Sequence, residues 1–578
     1  MKKGIISEAT SRNWKRLRSK KSGRLMARAN KQLSTKTIVP LEYFSNKDNV
    51  TDIQRFVSFC RGQNYKVEEV IYTVGLKLLK EAGILDKPHV AAALTPLMPL
   101  MALKPLMPPL PSDERDLLGL LYQCFLLEGE KNRKGSYYTP YAVAKNMVRG
   151  LDFSKNQTFF DPCCGSGAFI LALEGASPNQ IFACDNDPIA VMIAKINMLL
   201  KFKLEIFEPQ IVCCDYLKCY YNTDWGHISY DYIISNPPWG AAIFDKNGNR
   251  VTTRESFSYF FEKAFSQLSD DGLIRFLLPE SVLNVKTHKN FRKFLLENTD
   301  IQSITLYDGA FSGVQTKYFD IQCVRHFDRS AAEWRNHRLK IDSVHSNGGD
   351  VSTLLDMTMG ASYSISKRCF YLTNNLNFNL LSDPDLEKVQ KILSKGKYTL
   401  KDSIWGLGIV TGDNKKHMKA KQGKGLEPIY TGKEIEAYTL KAPKYFVKYK
   451  RADYQQVAKD EVYRADEKLV YKFISKNLVF AYDDSKSLVL NSANILIPHI
   501  PCMSVKTVLA FLNSSTFKFL YKSLFGEIKI LKGNLMELPF PAISEETNKN
   551  LTKLVDEVLN GDKESVKKID DVINKLFL

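Results

Sequence analysis

Short apolar runs that end in turn residues alternate with helix-like stretches between about residues 157 and 330. The runs include TFFDPCCGSG, IFACDNDP, IVCCDYL, YDYIISNPPWG and GLIRFLLPES, and helix-like stretches cover 188–201 and 256–269. Strands that alternate with helices predict a mostly parallel, doubly wound α/β sheet of the Rossmann-like kind. Such sheets bind ligands beyond the carboxyl ends of their strands. In these runs, the residues whose side chains could bind a ligand or take part in catalysis all lie at predicted strand ends.

The rest of the chain is predicted to flank this α/β domain. Apolar residues recur with helical periodicity over 52–84, and six prolines within 96–111 predict an irregular linker. The predicted regions are a helical region with a basic arm and the Pro-rich linker (1–110), the α/β domain (111–345), a mixed α/β domain (346–545) and a C-terminal helix (546–578).

Two windows account for the whole formal net charge of +18. Residues 1–36 carry twelve Lys or Arg and one acid, and residues 411–451 carry eleven Lys or Arg and four acids. Basic patches on an otherwise neutral chain are typical of surfaces that contact a polyanion such as DNA. A merely solvated tail is an equally good interpretation of the first window, whereas the second lies within a region that is predicted to fold.

Composition argues against several classes of protein. The sequence has no apolar run of about 18 residues, and its basic N-terminus lacks the apolar segment of a secretion signal. Eleven cysteines, an odd number, favour free thiols in a reducing compartment. We therefore do not expect a membrane protein, a secreted protein or a disulfide scaffold. The sequence instead predicts a cytoplasmic protein.

The first two strand ends predict a nucleoside site. Gly165 and Gly167 follow the first strand, where glycine permits a tight turn and close approach of a ligand. Asp185 ends the next strand, about twenty residues later, where an acid holds ribose hydroxyls. An ordinary strand–turn–helix glycine explains the first feature alone. Because neither GxGxxG nor GxxxxGK[ST] is present, a nucleoside without a pyrophosphate fits better than a dinucleotide or a nucleoside triphosphate.

The next two strand ends predict how a purine and an amine are held. Asp215 is placed to accept from an exocyclic amino group, and Tyr216 is placed to stack on a purine ring. In SNPPWG, the oxygen of Asn236 and the carbonyl of Pro237 are acceptors for an amine, and Trp239 is a stacking surface. A plain structural turn is the alternative for this last motif.

The ordered set GSYYTP, DPCCGSGAF, CDNDP, CDYL and NPPW resembles the gamma-class DNA adenine-N6 methyltransferases. DLLGLLYQCFL before GSYYTP and LLPESVLN after NPPW are also similar to this family. The similarity is strong over 113–330 and looser over 400–545. It implies S-adenosylmethionine as the cofactor and a target-recognition domain that follows the catalytic motif, as in type II restriction-modification enzymes.

The resemblance also implies residue roles for the cofactor. The methionine end would contact Tyr138, Thr139 and Pro140. The loop beside it would comprise Asp161, Pro162, Gly165, Gly167 and Phe169. The ribose would bind Asp185, the adenine amino group would bind Asp215, and the adenine ring would pack on Tyr216.

For the substrate, the resemblance implies that a flipped target adenine is held by the NPPW motif. The residues implied are Asn236, Pro237, Pro238 and Trp239, with Phe311 as a second stacking ring. Lysines of the second basic window would contact the DNA backbone, and those singled out are Lys415, Lys416, Lys419, Lys421 and Lys424. No metal site is expected, because no Cys or His spacing suits zinc.

These features predict a site-specific DNA adenine-N6 methyltransferase that acts on double-stranded DNA in a restriction-modification or orphan methylation system. A separately encoded restriction endonuclease is one expected partner, and DNA binding would associate the protein with the nucleoid of a bacterial cytoplasm. A modification subunit that needs a separate specificity subunit is the first alternative. An RNA or protein-glutamine methyltransferase is the second, because Asn-Pro-Pro-aromatic motifs also serve those amines. A DNA-binding protein that has kept the fold and lost turnover is the third.

Overall fold

The apolar runs form the strands of one sheet, which continues beyond residue 330. The computed structural model describes residues 43–94, 109–126, 138–219, 225, 227–239, 255–308, 317–325, 337–345, 358–526 and 529–577. The strands of this sheet are β1 Phe159–Asp161, β2 Ile181–Asp185, β3 Gln210–Cys213, β4 Tyr230–Ser235, β5 Leu268–Pro279, β6 Thr299–Asp308, β7 Tyr318–Arg325, β8 Arg338–His345 and β9 Thr358–Ser366.

The strand order of the sheet is β3-β2-β1-β4-β5-β7-β6-β8-β9. Strands β1 to β5 pair in parallel, and β7 lies antiparallel between β5 and β6. The predicted mostly parallel α/β sheet is thus confirmed. The chain winds outward from β1 to β3 on one side and from β4 to β5 on the other. The crevice between β1 and β4, where the order reverses, is the place at which such sheets bind ligands.

Helices precede the sheet and connect its strands. Their bounds are α1 Val50–Gly62, α2 Val67–Glu81, α3 Pro88–Ala93, α4 Leu117–Phe125, α5 Tyr141–Val148, α6 Ala168–Ala172, α7 Pro188–Lys201, α8 Tyr216–Cys219, α9 Ser256–Ser266, α10 Ser281–Asn284 and α11 Lys289–Asn298. Helix α7 coincides with the helix predicted over 188–201, and α1 and α2 confirm the helical periodicity of 52–84.

The N-terminal helices share one hydrophobic core with the parallel strands. A Cβ atom at Gly75 of α2 would lie 2.5 Å from Cδ1 of Ile196 in α7, so glycine lets these two helices approach closely. The described residues up to Arg368 form one compact unit, here called the N-terminal unit. The helical region predicted as separate is therefore part of this unit. The sheet also extends past the boundary predicted at residue 345, because β9 pairs with β8.

The described residues from Cys369 onward form a second compact unit, here called the C-terminal unit. It contains a four-stranded sheet of order β10-β16-β13-β14 and a three-stranded sheet of order β12-β11-β15. The strands are β10 Ile404–Leu407, β11 Glu427–Tyr430, β12 Tyr445–Val447, β13 Lys468–Lys472, β14 Phe480–Asp483, β15 Leu488–Val489 and β16 Ala493–Ile497. The helices are α12 Asp383–Ser394, α13 Asn414–His417, α14 Asp460–Tyr463, α15 Val505–Asn513, α16 Ser515–Phe525, α17 Lys532–Leu535, α18 Glu545–Leu559 and α19 Glu564–Phe577.

The last residues form two helices, α18 and α19, where the sequence predicted one. Gly561 lies between them at φ +104°, a conformation that ends a helix and favours glycine. Both helices pack their apolar faces into the core of the C-terminal unit through Leu551, Val555, Ile569 and Ile573. Across the described parts of both units, no helix combines the length and the apolar character needed to cross a membrane.

Candidate cofactor and catalytic site

The loop after β1 is a glycine turn built against Tyr138. Gly165 and Gly167 have φ values of +54° and +86°, in the left-handed region that favours glycine. A Cβ atom at Gly165 would lie 2.9 Å from Cε1 of Tyr138. Position 165 therefore requires glycine for its backbone conformation and for its contact with the tyrosine ring. Helix α6, which contains the buried Phe169, starts directly after this turn.

Asp161 ends β1 and is only 1% exposed. Its Oδ1 accepts hydrogen bonds from Oγ of Ser235 at 2.6 Å and from the backbone N–H of Cys163 at 3.2 Å. Its Oδ2 is buried without a hydrogen-bond partner among the described residues. Burial raises the pKa of Asp161 to about 7. The end of β1 therefore holds a carboxyl group with one unsatisfied oxygen, linked to the end of β4 by Ser235.

Asp185 ends β2 and connects the first two loops. Its Oδ2 accepts from the N–H of Gly165 at 2.9 Å, and its Oδ1 accepts from the N–H of Asp187 at 2.9 Å. Burial raises the pKa of Asp185 above its ordinary value. The carboxyl group predicted to hold a ribose thus lies beside the glycine turn.

The GSYYTP segment contributes a second unsatisfied buried group. The hydroxyl of Tyr138 is buried without a hydrogen-bond partner among the described residues. The backbone carbonyl of Tyr138 accepts from the hydroxyl of Tyr43 at 2.7 Å. A buried polar atom without a partner is unfavourable, so such atoms point to a bound group. An ammonium and carboxylate group, as at the methionine end of S-adenosylmethionine, has the donors and acceptors to satisfy Asp161 and Tyr138.

The end of β3 is less open than the sequence suggests. Oδ1 of Asp215 accepts from the N–H of Leu217, and its Oδ2 pairs with Nζ of Lys218 at 2.5 Å. Tyr216 is 2% exposed, and its hydroxyl donates to Oε1 of Gln267 at 2.6 Å. In this conformation the ring of Tyr216 belongs to the core, so its predicted packing on adenine stays a prediction.

Asn236 follows β4 and is oriented by the GSYYTP segment. Its Nδ2 donates to Oγ1 of Thr139 at 3.2 Å, so the carbonyl oxygen lies on the other side of the amide. The thiol of Cys163 donates to the backbone carbonyl of Asn236 at 3.5 Å, and Oγ of Ser256 donates to the carbonyl of Pro238. The NPPW turn is therefore held by both the GSYYTP segment and the loop after β1.

Trp239 is half-buried with its ring fixed at one edge. Its Nε1 donates to the carbonyl of Leu277 at 3.2 Å, and its ring lies 6.3 Å from that of Tyr318, centroid to centroid. Tyr318 stacks in turn on Tyr307 at 5.2 Å. Tyr318 is thus an aromatic neighbour of Trp239 among the described residues. Phe311, predicted as the second stacking ring, lies outside the described residues.

The cysteines around the site are unbridged in the described part of the chain. Burial raises the pKa of the thiols of Cys163, Cys164 and Cys184 well above the ordinary value, so these thiols are protonated and neutral. Among the described residues, no group of three or more His, Cys, Asp or Glu side chains is arranged to hold a metal ion.

Two families match the chain in the order of its two units. The family of N-6 DNA methylases matches residues 113–326, which contain the whole site described above. Residues 113–326 therefore form a domain of the N-6 DNA methylase family. The family of TaqI-like C-terminal specificity domains matches residues 427–540, within the C-terminal unit. The methylase domain and a specificity domain are thus present in one chain.

The curated relatives are DNA methyltransferases of restriction-modification systems. The type II methyltransferase M.VspI of Vibrio sp. (strain 343) is 29% identical over 331 residues, which are 54% of this chain and 74% of that protein. The methylase subunit of the type I restriction enzyme EcoEI of Escherichia coli is 28% identical over 231 residues, 36% of this chain and 46% of that protein. The chain therefore spans most of the first relative and less than half of the second.

The fold extends this likeness to nearly the full chain. The solved structure of the type IIL restriction-modification enzyme MmeI in complex with DNA has a TM-score of 0.56, with 12% identical residues. The likeness covers 96% of this chain and 92% of that chain. At this identity the comparison establishes the fold of the methylase and specificity domains and no shared chemistry.

The C-terminal unit exposes the lysines that the sequence singled out. Lys415, Lys416, Lys419, Lys421 and Lys424 are all exposed. The N–H of Lys419 donates to the carbonyl of Phe446 at 2.8 Å, and the reverse bond has the same length. This bridge fixes the lysine-bearing loop to β12, beside the lysines that flank that strand.

Sequence reasoning missed the polar side chains that support the methylase site. Ser235, which joins β1 to β4, directly precedes Asn236, and that position was the available signal. Ser166 lies between the two glycines of the turn, and it bonds to Asp116 in the DLLG sequence. The sequence offered no sign that residues 50 positions apart would meet.

Proposed function

We propose that this chain transfers a methyl group from S-adenosylmethionine to N6 of adenine at a specific sequence of double-stranded DNA. The observation that carries the proposal is the link between the two predicted motifs. Ser235 and Cys163 connect the end of β4, which bears Asn236, to the loop after β1, which bears Asp161. An acceptor for an amine is thereby fixed beside a loop suited to the cofactor.

S-adenosylmethionine supplies, when bound, the electrophilic methyl group of its sulfonium. The side chains of this chain act on the amine. The oxygen of Asn236 and the carbonyl of Pro237 accept hydrogen bonds from the amino group, which favours a pyramidal nitrogen and stabilises its developing positive charge. Thr139 fixes the direction of the Asn236 amide. Transfer of the methyl group would leave S-adenosylhomocysteine as a neutral thioether and a positive charge on N6. The methylated nitrogen is acidic enough to lose its extra proton to solvent, so no basic side chain is required.

The side chains of the site have the hydrogen-bonding groups that S-adenosylmethionine requires. Asp161 and Tyr138 would hold the methionine end, because each has a buried polar atom that lacks a partner among the described residues. Asp185 would hold the ribose beside the Gly165 turn, and Asp215 would accept from the adenine amino group. Thr139, Pro140, Pro162, Gly167, Phe169 and Tyr216 would complete the walls, as the family resemblance implies.

Base flipping follows from the position of the amine within the duplex. An enzyme that acts on a base must rotate it out of the stack, which costs a few kcal/mol. Trp239 would stack on the flipped adenine and recover part of this cost, since stacking is worth about 1–3 kcal/mol per base. The exposed lysines from Lys415 to Lys424 would contact phosphates, which position the protein without reading sequence.

A modification subunit that requires a separate specificity subunit is the second candidate, and the relatives that are type I methylase subunits favour it. The specificity domain in the same chain favours the first candidate, and it also favours DNA over an RNA or protein substrate. A separate endonuclease partner and a bacterial cytoplasmic location belong to the first proposal.

The test is long-read sequencing of DNA from a methylation-deficient bacterial host that expresses the chain, beside a host that expresses Asn236→Ala. N6-methyladenine in one recurrent sequence, absent with the variant, is the expected result. Soluble protein without methylation would contradict the first candidate. Methylation that appears only when a specificity subunit is added would support the second.

A further inference from the structure

Helix α4 touches the loop after β1 through Asp116. Oδ2 of Asp116 accepts from Oγ of Ser166 at 2.5 Å, and its Oδ1 accepts from Nδ2 of Asn197 at 2.8 Å and from the N–H of Gly119 at 2.9 Å. Nδ2 of Asn197 also donates to the carbonyl of Ser166 at 2.9 Å. One carboxylate therefore caps α4 and holds the residue between the two turn glycines.

Gly119 makes this arrangement possible. A Cβ atom at position 119 would lie 2.2 Å from Oδ2 of Asp116, far inside contact distance. Glycine three residues after the aspartate thus leaves room for the carboxylate over the first turn of α4. The DLLG sequence is explained by this contact.

The same helix touches the loop after β2 through Tyr122. The hydroxyl of Tyr122 donates to Oδ2 of Asp187 at 2.7 Å. Oδ1 of Asp187 accepts from the N–H of Ile189 at 3.0 Å and caps α7, and the N–H of Asp187 donates to Asp185. Tyr122 is therefore linked through Asp187 to Asp185, the predicted acceptor for the ribose hydroxyls.

Helix α4 is itself held firmly within the N-terminal unit. Arg61, in α1, donates through Nη2 to the carbonyls of Cys124 and Phe125 at 3.0 and 3.2 Å. These carbonyls end α4, where a cation stabilises the helix. All nine residues of α4 are buried. The helix is thus a rigid support, and the N-terminal helices brace it.

We propose that Asp116 and Tyr122 are positioning residues for the cofactor site. They fix the loops after β1 and β2 at the spacing that S-adenosylmethionine requires before it binds, so that the N-terminal helices serve cofactor binding through α4. This inference rests on the proposed function, because it assigns the residues to the cofactor of that reaction. Their effect is on affinity for the cofactor, and the chemistry at Asn236 does not depend on them.

The test measures the dissociation constant of S-adenosylhomocysteine by calorimetry for the wild type, Ser166→Ala and Tyr122→Phe. Each variant removes one hydroxyl group, and each is expected to raise the dissociation constant about tenfold, the lower end of what a hydrogen bond to a charged group is worth. The KM for S-adenosylmethionine should rise in parallel, while kcat at saturating cofactor stays within about twofold.

Tyr232→Phe is the matched control, because its hydroxyl donates to the carbonyl of Asp152 at the protein surface. A merely structural role would lower the stability of Tyr122→Phe and Ser166→Ala in urea and leave their affinity for S-adenosylhomocysteine unchanged. That result overturns the inference, as does an equal loss of affinity in Tyr232→Phe.

Amide exchange of residues 163–167 in the ligand-free protein provides a second measurement. Faster exchange in Ser166→Ala than in Tyr232→Phe is expected, and equal exchange contradicts the proposed positioning. Wild-type protein that binds no S-adenosylhomocysteine would instead overturn the cofactor assignment, and this inference with it.

Discussion

The two units place their charged groups in opposite ways. In the N-terminal unit, Asp161 is 1% exposed and Asp185 is bonded to the backbone of the glycine turn. In the C-terminal unit, the lysines from Lys415 to Lys424 are all exposed. Buried polar groups recognise one ligand through geometry that folding has fixed. Exposed cations recognise a polyanion through the number of charges, which tolerates movement.

The C-terminal unit also buries one ion pair, although that pair serves its own structure. Lys468 and Asp483 are opposite each other on β13 and β14, and Nζ lies 2.8 Å from Oδ2. Both side chains are 0% exposed. Burial alone would raise the pKa of Asp483, but the Lys468 ammonium group lowers it overall. The buried pair of Lys468 and Asp483 therefore joins two strands, whereas Asp161 and Asp185 lie at the proposed cofactor site, and mutation distinguishes the two roles.

The largest expected effect is on stability. Lys468→Met leaves Asp483 buried and unpaired, so the free energy of unfolding should fall by about 3–5 kcal/mol. Urea denaturation of the full chain measures it, and the transition of the C-terminal unit should be the one that moves. Lys549→Met is the control, because Lys549 pairs with Glu545 at the surface, and such pairs contribute at most about 0.5 kcal/mol. An equal loss of unfolding free energy in Lys468→Met and Lys549→Met would show that burial of the Lys468–Asp483 pair does not matter for stability.

The second expected effect is on catalysis. Asn236→Ala removes the proposed amine acceptor, whose amide bonds to Thr139. We expect kcat to fall about 100-fold to 1,000-fold, as when one preorganised hydrogen-bonding group is removed from other active sites. Affinity for S-adenosylhomocysteine should stay within about twofold, because the proposed mechanism assigns Asn236 to the substrate amine. Steady-state methylation and calorimetry measure the two quantities. A loss of cofactor affinity as large as the loss of kcat would assign Asn236 to the cofactor site.

The third expected effect is a pH dependence in the N-terminal unit. With a pKa of about 7, Asp161 is mostly neutral at about pH 6 and mostly ionised at about pH 8. An ammonium group prefers the ionised form, so affinity for S-adenosylhomocysteine should increase about tenfold across this interval. Asp161→Asn should show a flat profile. A flat wild-type profile would exclude Asp161 as the partner of the ammonium group.

The same pKa has a consequence for the ligand-free protein. The pKa in the folded state lies above the ordinary value of 3.8, so the folded state holds more protons between the two values. The contribution of Asp161 to stability should therefore fall as pH rises from about 4 to about 7. Urea denaturation of Asp161→Asn, which lacks this titration, provides the comparison. If the unfolding free energy of the wild type falls no more than that of Asp161→Asn between about pH 4 and about pH 7, the raised pKa of Asp161 is contradicted.

The sequence predicted the parts of the fold that local patterns encode. Strands β1 to β4 were predictable, because each is a short apolar run that ends in a polar turn. The insertion of β7 between β5 and β6 was not, because strand order depends on tertiary pairing. The site follows the same rule. Asp161, Asp185 and Asn236 stand at strand ends and could be found, whereas the bond from Asp116 to Ser166 joins distant segments.

The smallest expected effect is on DNA binding by the C-terminal unit. Lys415→Gln combined with Lys416→Gln removes two exposed charges. The slope of log affinity against log salt should become less steep by about 0.9 for each phosphate that the variant no longer neutralises, with the recognised sequence unchanged. Fluorescence anisotropy of a DNA duplex over a salt series measures the slope. Lys549→Gln, an exposed lysine on α18, is the control and should leave the slope unaltered. An altered recognition sequence in the double variant would instead show that these lysines read bases. The loop from Lys415 to Lys424 would then recognise DNA through fixed geometry, as the buried groups of the N-terminal unit are proposed to recognise the cofactor, and the difference between the two units would not hold.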